Sequence, residues 1–205
     1  PEYAVARTNG YVVYQHDASS PSELLINDPE NENENVFENL IFAKTTNIPG
    51  TYMVRADVLF EYYPDKIVPM DRYTQNLQIL LPVTYNRKVG FVSEILMHYY
   101  RHDEAFTADK IDYESRFKQF ESFKRVRKDL LKMMNLMTPE IEAKLDRTYD
   151  TVFLGLAKKY NEVKEFNTLY KTIKFPTYNE KLLYASINKN KMTYYFLKIK
   201  NKLGL

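Results

Sequence analysis

The residues of this chain that could do chemistry are few and concentrated. From Gln75 to Thr107 it reads QNLQILLPVTYNRKVGFVSEILMHYYRHDEAFT, which holds an amide pair (Gln75-Asn76), two of the three histidines (His98 and His102) and Arg101 at a strand-like end. A histidine in such a place is a candidate ligand. Upstream, Gly50-Thr51-Tyr52-Met53-Val54-Arg55 places a second arginine after a glycine turn. The carboxylate pairs Asp103–Glu104 and Asp109–Asp112 stand in a polar stretch, where solvated surface is the simpler reading than the paired acids of a glycosidase. Three histidines and no cysteine argue against an all-protein zinc site or a disulfide scaffold. The chain has no Gly-rich phosphate loop, no Gly-x-Ser-x-Gly elbow and no His-Glu-x-x-His.

The elements that must position these residues fall into two halves. Residues 1–107 mix strand and helix signals. Two β-prone runs flank Thr8-Asn9-Gly10, and Asn-Gly between such runs predicts a hairpin. The polar segment from Ser19 to Asn35 predicts a surface loop. Val36, Phe37, Leu40 and Ile41 recur at helical spacing. A strand is then predicted around Tyr52, a short helix from Ala56 that ends before Pro64, a helix over 74–86, and a strand entered through Gly90. This alternation argues for an α/β layer.

From 108 to 205 the period is helical. One apolar stripe runs from Phe117 to Met137 and a second from Ile141 to Tyr160. Between them Thr138-Pro139-Glu140 reads as N-cap, first-turn proline and an acid on the helix dipole. The pattern predicts an antiparallel helical hairpin followed by shorter helices. Beyond Glu180 there is no acid, and six lysines alternate with tyrosine, phenylalanine and leucine. Such a tail could lie on an anionic membrane surface; the simpler expectation is a helix whose aromatics pack on the hairpin.

The whole composition narrows the classes further. In 205 residues, 29 basic side chains nearly balance 27 acidic ones, so no nucleic-acid partner is implied. No apolar run approaches the ~20 residues that span a bilayer. The 18 tyrosines suit amphipathic contact surfaces, for a sugar or a partner.

The order Asn35–Phe42, Asn47–Phe60, Tyr73–Pro82 and Val83–Thr107 resembles the acceptor-side half of bacterial family 2 glycosyltransferases. These are inverting, nucleotide-sugar-dependent enzymes built on a Rossmann-like, A-type sheet. The matching features are Gly50, Met53 and Arg55, the pair Gln75-Asn76 opening a helix with Leu80-Leu81-Pro82, and Tyr100-Arg101-His102. The resemblance implies a partial α/β catalytic domain over 1–107 that lacks its donor half, followed by a helical subdomain over 108–205. It implies roles for Gln75 and Asn76 at the acceptor hydroxyl, for Gly50, Tyr52, Met53, Arg55 and Arg101 at the substrate, and for His102 at a metal-diphosphate. His98 is then structural.

In that family an acid at the helix start takes the acceptor proton; here the position is Asn76, an amide, and Asp71 is the neighbouring carboxylate that could replace it. A divalent metal, Mg or Mn, is implied for the intact enzyme and not for this piece alone. The implied partners are a nucleotide sugar and a glycan or lipid-linked acceptor. The implied location is cytoplasmic, at the inner face of the membrane, and the chain beginning at Pro1 is expected to be a piece of a longer enzyme. The alternative is a non-catalytic helical binding or scaffolding module.

Overall fold

The computed structural model describes residues 2–14, 23–26, 32–45, 48–101 and 111–202. Thr8-Asn9-Gly10 does not turn: one strand, β1 (Tyr3–Tyr14), runs straight through it. An Asn-Gly hairpin needs positive φ at both residues, and neither Asn9 nor Gly10 has it. The pair serves an irregular stretch of sheet instead. Asn9 donates from Nδ2 to the Ile26 carbonyl at 2.8 Å and accepts from the Ile26 N–H at 3.0 Å, so its side chain stands in for a strand backbone. A Cβ on Gly10 would lie 2.7 Å from the Met97 carbonyl oxygen, so only glycine admits the neighbouring strand this closely.

β1 is the centre of a four-stranded mixed sheet. Along one edge it pairs antiparallel with β2 (Glu23–Leu24), a short strand inside the expected loop, and with β3 (Tyr52–Val54). Along the other edge it pairs parallel with β4 (Lys88–Arg101), whose register slips opposite Thr8–Gly10. The Thr8 hydroxyl fills the slip by donating to the Glu94 carbonyl at 2.7 Å.

A parallel pair needs a crossover between its strands, and here the crossover carries α1 (Phe37–Ile41), α2 (Ala56–Tyr62) and α3 (Gln75–Thr84). Leu40, Ile41, Val58 and Leu59 are the buried faces of the first two helices. Leu77, Leu80 and Leu81 bury α3, which lies against β1, α1 and α2. The architecture is therefore mixed α/β.

Two compact units divide the chain: residues 1–110 with 122–139, and residues 111–121 with 140–205. Helix α4 (Tyr113–Met133) gives its first turns to the second unit and the rest to the first. Within the first unit Arg127 donates to the Leu40 carbonyl at 2.9 Å, closing the end of α1.

The second unit holds α5 (Pro139–Lys159), α6 (Val163–Thr172), α7 (Tyr178–Ile187) and α8 (Lys191–Lys202). Tyr113 meets Tyr160 and Phe117 meets Phe153, with ring centroids 6.0 and 4.6 Å apart. The start of α4 therefore runs antiparallel to the end of α5, as the two stripes predict. Leu154, Ala157, Phe166, Ile173 and Ile187 form the core of this unit.

Helix ends that commonly use glycine in the left-handed region use other residues here. Asn135, Asn161 and Lys189, with φ between 54° and 59°, close α4, α5 and α7. At the other end of α7, the Thr177 hydroxyl accepts from the Glu180 N–H and Glu180 Oε2 accepts from the Thr177 N–H at 2.7 Å. The same carboxylate is buried and also accepts from Arg147 at 2.7 Å and from Thr151 at 2.8 Å. Burial alone would raise its pKa, yet these donors hold it down at about 2.

Among the described residues no helix is long and apolar enough to cross a membrane.

Candidate functional site

One hydrogen bond joins the glycine-turn segment to the amide pair. Tyr52 Oη, on β3, donates to Asn76 Oδ1, in the first turn of α3, at 2.6 Å. Strand alternation sends Tyr52 to one face of the sheet and Met53 to the other. Burial raises the Tyr52 phenol above its ordinary pKa, which keeps it a protonated donor. Asn76 Oδ1 accepts from Tyr52, and an amide has no basicity to take a proton. Beside the pair lies a cavity of about 130 Å³ lined by Tyr73, Thr74, Asn76, Leu77, Phe123 and Arg127. A site enclosing a whole drug-sized ligand measures roughly 300 Å³ or more, so this one has room for no more than an edge of such a ligand.

Arg7 belongs to the same surroundings, and the sequence reading misses it. It is the register partner of Tyr52 across β1 and β3, so the two side chains share a face. Arg7 is only 3% exposed, and burial pushes its guanidinium below the usual arginine value. The available signal was the alternation Val5-Arg7-Asn9, which puts a cation at an inward position of the strand.

The other candidate residues divide. Asp71 is a weaker base than an ordinary carboxylate. Burial would raise its pKa, but the Tyr73 N–H, the Ser122 hydroxyl and the Arg125 guanidinium outweigh burial and hold the carboxyl below its ordinary value. Its geometry is that of a tie between the approach to α3 and helix α4.

Gly50, at φ +85°, makes the turn into β3, and a Cβ there would lie 2.7 Å from Met97 Sδ. Met53 is largely exposed. Arg55 pairs with Asp57 two residues on, at the entry to α2, and reaches the Tyr3 carbonyl. Gln75 is the first residue of α3.

Arg101 ends β4 opposite Tyr14, seven positions along β1 from Arg7. At ~3.3 Å per residue that is about 23 Å from the level of Tyr52, so the structure does not bring Arg101 to the Asn76 cavity. His102 lies outside the described residues. His98 is on β4 with its ring beside those of Tyr11 and Tyr100.

Among the described residues no group of three or more His, Cys, Asp or Glu is arranged to hold a metal ion. By themselves they do not fit the divalent metal implied by the resemblance. A larger cavity, about 650 Å³, lies in the helical unit, with Tyr113 and Phe117 on its wall and Asp112, Glu162 and Glu165 around it. Comparison with protein-family models, with curated proteins and with solved structures finds no match for this chain.

Proposed function

We propose that this chain is the acceptor-side part of an inverting glycosyltransferase that moves a sugar from a nucleotide sugar to a glycan or lipid-linked acceptor at the cytoplasmic face of a membrane. The observation that carries the reading is the Tyr52–Asn76 hydrogen bond, because it brings together the two segments on which the family resemblance rests. In this reading the mixed sheet centred on β1 is one side of a Rossmann-like sheet, and strands of a donor half complete it.

The acceptor oxygen attacks the anomeric carbon, the bond from that carbon to the diphosphate breaks, and the acceptor proton passes to a base. Asn76 positions the acceptor hydroxyl by donating to it, held in orientation by Tyr52. Asp71, tied to Arg125 and Ser122, is not that base, so the donor half supplies it. The resemblance implies Mg or Mn at the leaving diphosphate of the intact enzyme.

In the enzyme carrying its donor half, Asn76→Ala is expected to lower turnover while the fold is retained. Turnover unchanged by it would favour the second reading, a binding module. The aromatic- and carboxylate-lined cavity of the helical unit supports that second reading.

A further inference from the structure

Helix α8 lies against α7, but its aromatic residues do not all follow. Tyr194 and Leu197 are half-buried, and the Tyr178 hydroxyl donates to the Leu197 carbonyl at 3.3 Å. Met192, Tyr195, Phe196 and Ile199 are between 59% and 86% exposed. Their spacing is three, one and three, the signature of a single helical stripe.

At about 100° per residue the stripe spans an arc of ~100°, centred opposite the Tyr194–Leu197 face that meets α7. The lysines flank it: Lys191, Lys198 and Lys202 stand along one border and Lys200 along the other. All four are exposed, and no acid follows Glu180 in the sequence. Lys198 sits over the Tyr194 ring at 4.9 Å, at the border and away from the stripe.

We propose that this face of α8 docks in the plane of an anionic lipid surface, with Met192, Tyr195, Phe196 and Ile199 in the headgroup–acyl boundary and the lysines at the lipid charges. The chemistry at each position fits such a surface. The apolar arc is wide enough to enter the boundary but far too short to span a bilayer, and the lysine stems reach outward from its edges to the headgroups. A helix made to cap its own protein core would turn this stripe inward; here the residues of lower exposure are on the opposite side. A protein groove could also take an apolar stripe, but borders whose charged residues on α8 are all cations select an anionic surface. The inference does not depend on the proposed transferase activity.

The test is co-sedimentation of the whole chain with phosphatidylcholine vesicles, with and without phosphatidylglycerol, at low and high salt. The expected result is binding to the anionic vesicles, weakened by salt. A Phe196→Ser/Ile199→Ser variant should retain the wild-type melting curve, because both side chains are exposed, and should lose binding at least tenfold. Lys198→Gln/Lys200→Gln/Lys202→Gln should lower partitioning by roughly a hundredfold. Failure of the wild-type chain to sediment with anionic vesicles would overturn the proposal, as would equal binding by the serine variant. Self-association in lipid-free buffer, abolished by the serine variant and unaccompanied by vesicle binding, would assign the stripe to a second copy and would likewise overturn it.

Discussion

Glu180 offers the sharpest physical prediction, because one buried carboxylate closes α7, ties it to α5 and carries a strongly shifted pKa. Its side chain is 1% exposed and accepts from Arg147, Thr151 and the Thr177 N–H. The fall from 4.5 to about 2 corresponds to roughly 3 kcal/mol of stability at neutral pH. Arg147 is 35% exposed, so solvent screens its share of the interaction, and a working figure is about 2 kcal/mol.

Because the folded-state pKa is depressed, this stability is fully present above the unfolded value. It is lost as pH falls from about 4.5 toward 2. Glu180→Gln keeps the shape and an acceptor for the Thr177 N–H but removes the titration and the ionic pair. Urea unfolding of both proteins at pH 7 and pH 3 reads the effect: the variant should be about 2 kcal/mol less stable at pH 7, and the gap should shrink by about half or more at pH 3. A gap of equal width at the two pH values would refute the assignment of the shift to this carboxylate.

Two further substitutions test the irregular stretch of the sheet. Asn9→Ala strips both hydrogen bonds from the buried Ile26 backbone and should cost about 3 kcal/mol in urea unfolding, well above the cost of a surface asparagine change. Gly10→Ala places a methyl where the Met97 carbonyl stands and should cost about 1–3 kcal/mol; a neutral result would mean that β4 does not approach β1 this closely.

The helices were legible in the sequence wherever an apolar period and a stop signal coincided. Pro64 ends the segment that contains α2, and Pro139 opens α5. The antiparallel arrangement of the two stripes agrees with the Phe117–Phe153 contact, although Phe153 lies one position off the second stripe. The hairpin at Asn9-Gly10 was misread because the same dipeptide satisfies two different demands. A turn needs its permissive φ; here the fold uses the asparagine amide as a backbone surrogate and the missing Cβ for clearance, and both depend on residues far along the chain, Ile26 and Met97.

The candidate site shows the same division. Tyr52 and Asn76 could be nominated from motif order, while their contact across 24 positions needed the fold. Arg7 is singled out only by the register that places it beside Tyr52. The fate of Asp71 turned on Ser122 and Arg125, which no local pattern connects to it. For the tail, the residue types were plain but the side of α8 that faces outward was not.

Tyr52 and Asn76 are proposed to hold the acceptor of a sugar transfer. The measurement that meets this most directly is acceptor-dependent release of nucleoside diphosphate from nucleotide sugars by the protein translated from the complete reading frame, wild type against Asn76→Ala. Turnover by the wild type is expected, with a loss of one to two orders of magnitude in the variant, about 1.4–2.8 kcal/mol of transition-state stabilisation, and an unchanged melting curve. A complete protein that releases no nucleoside diphosphate from any nucleotide sugar, or an Asn76→Ala variant as active as wild type, would contradict it.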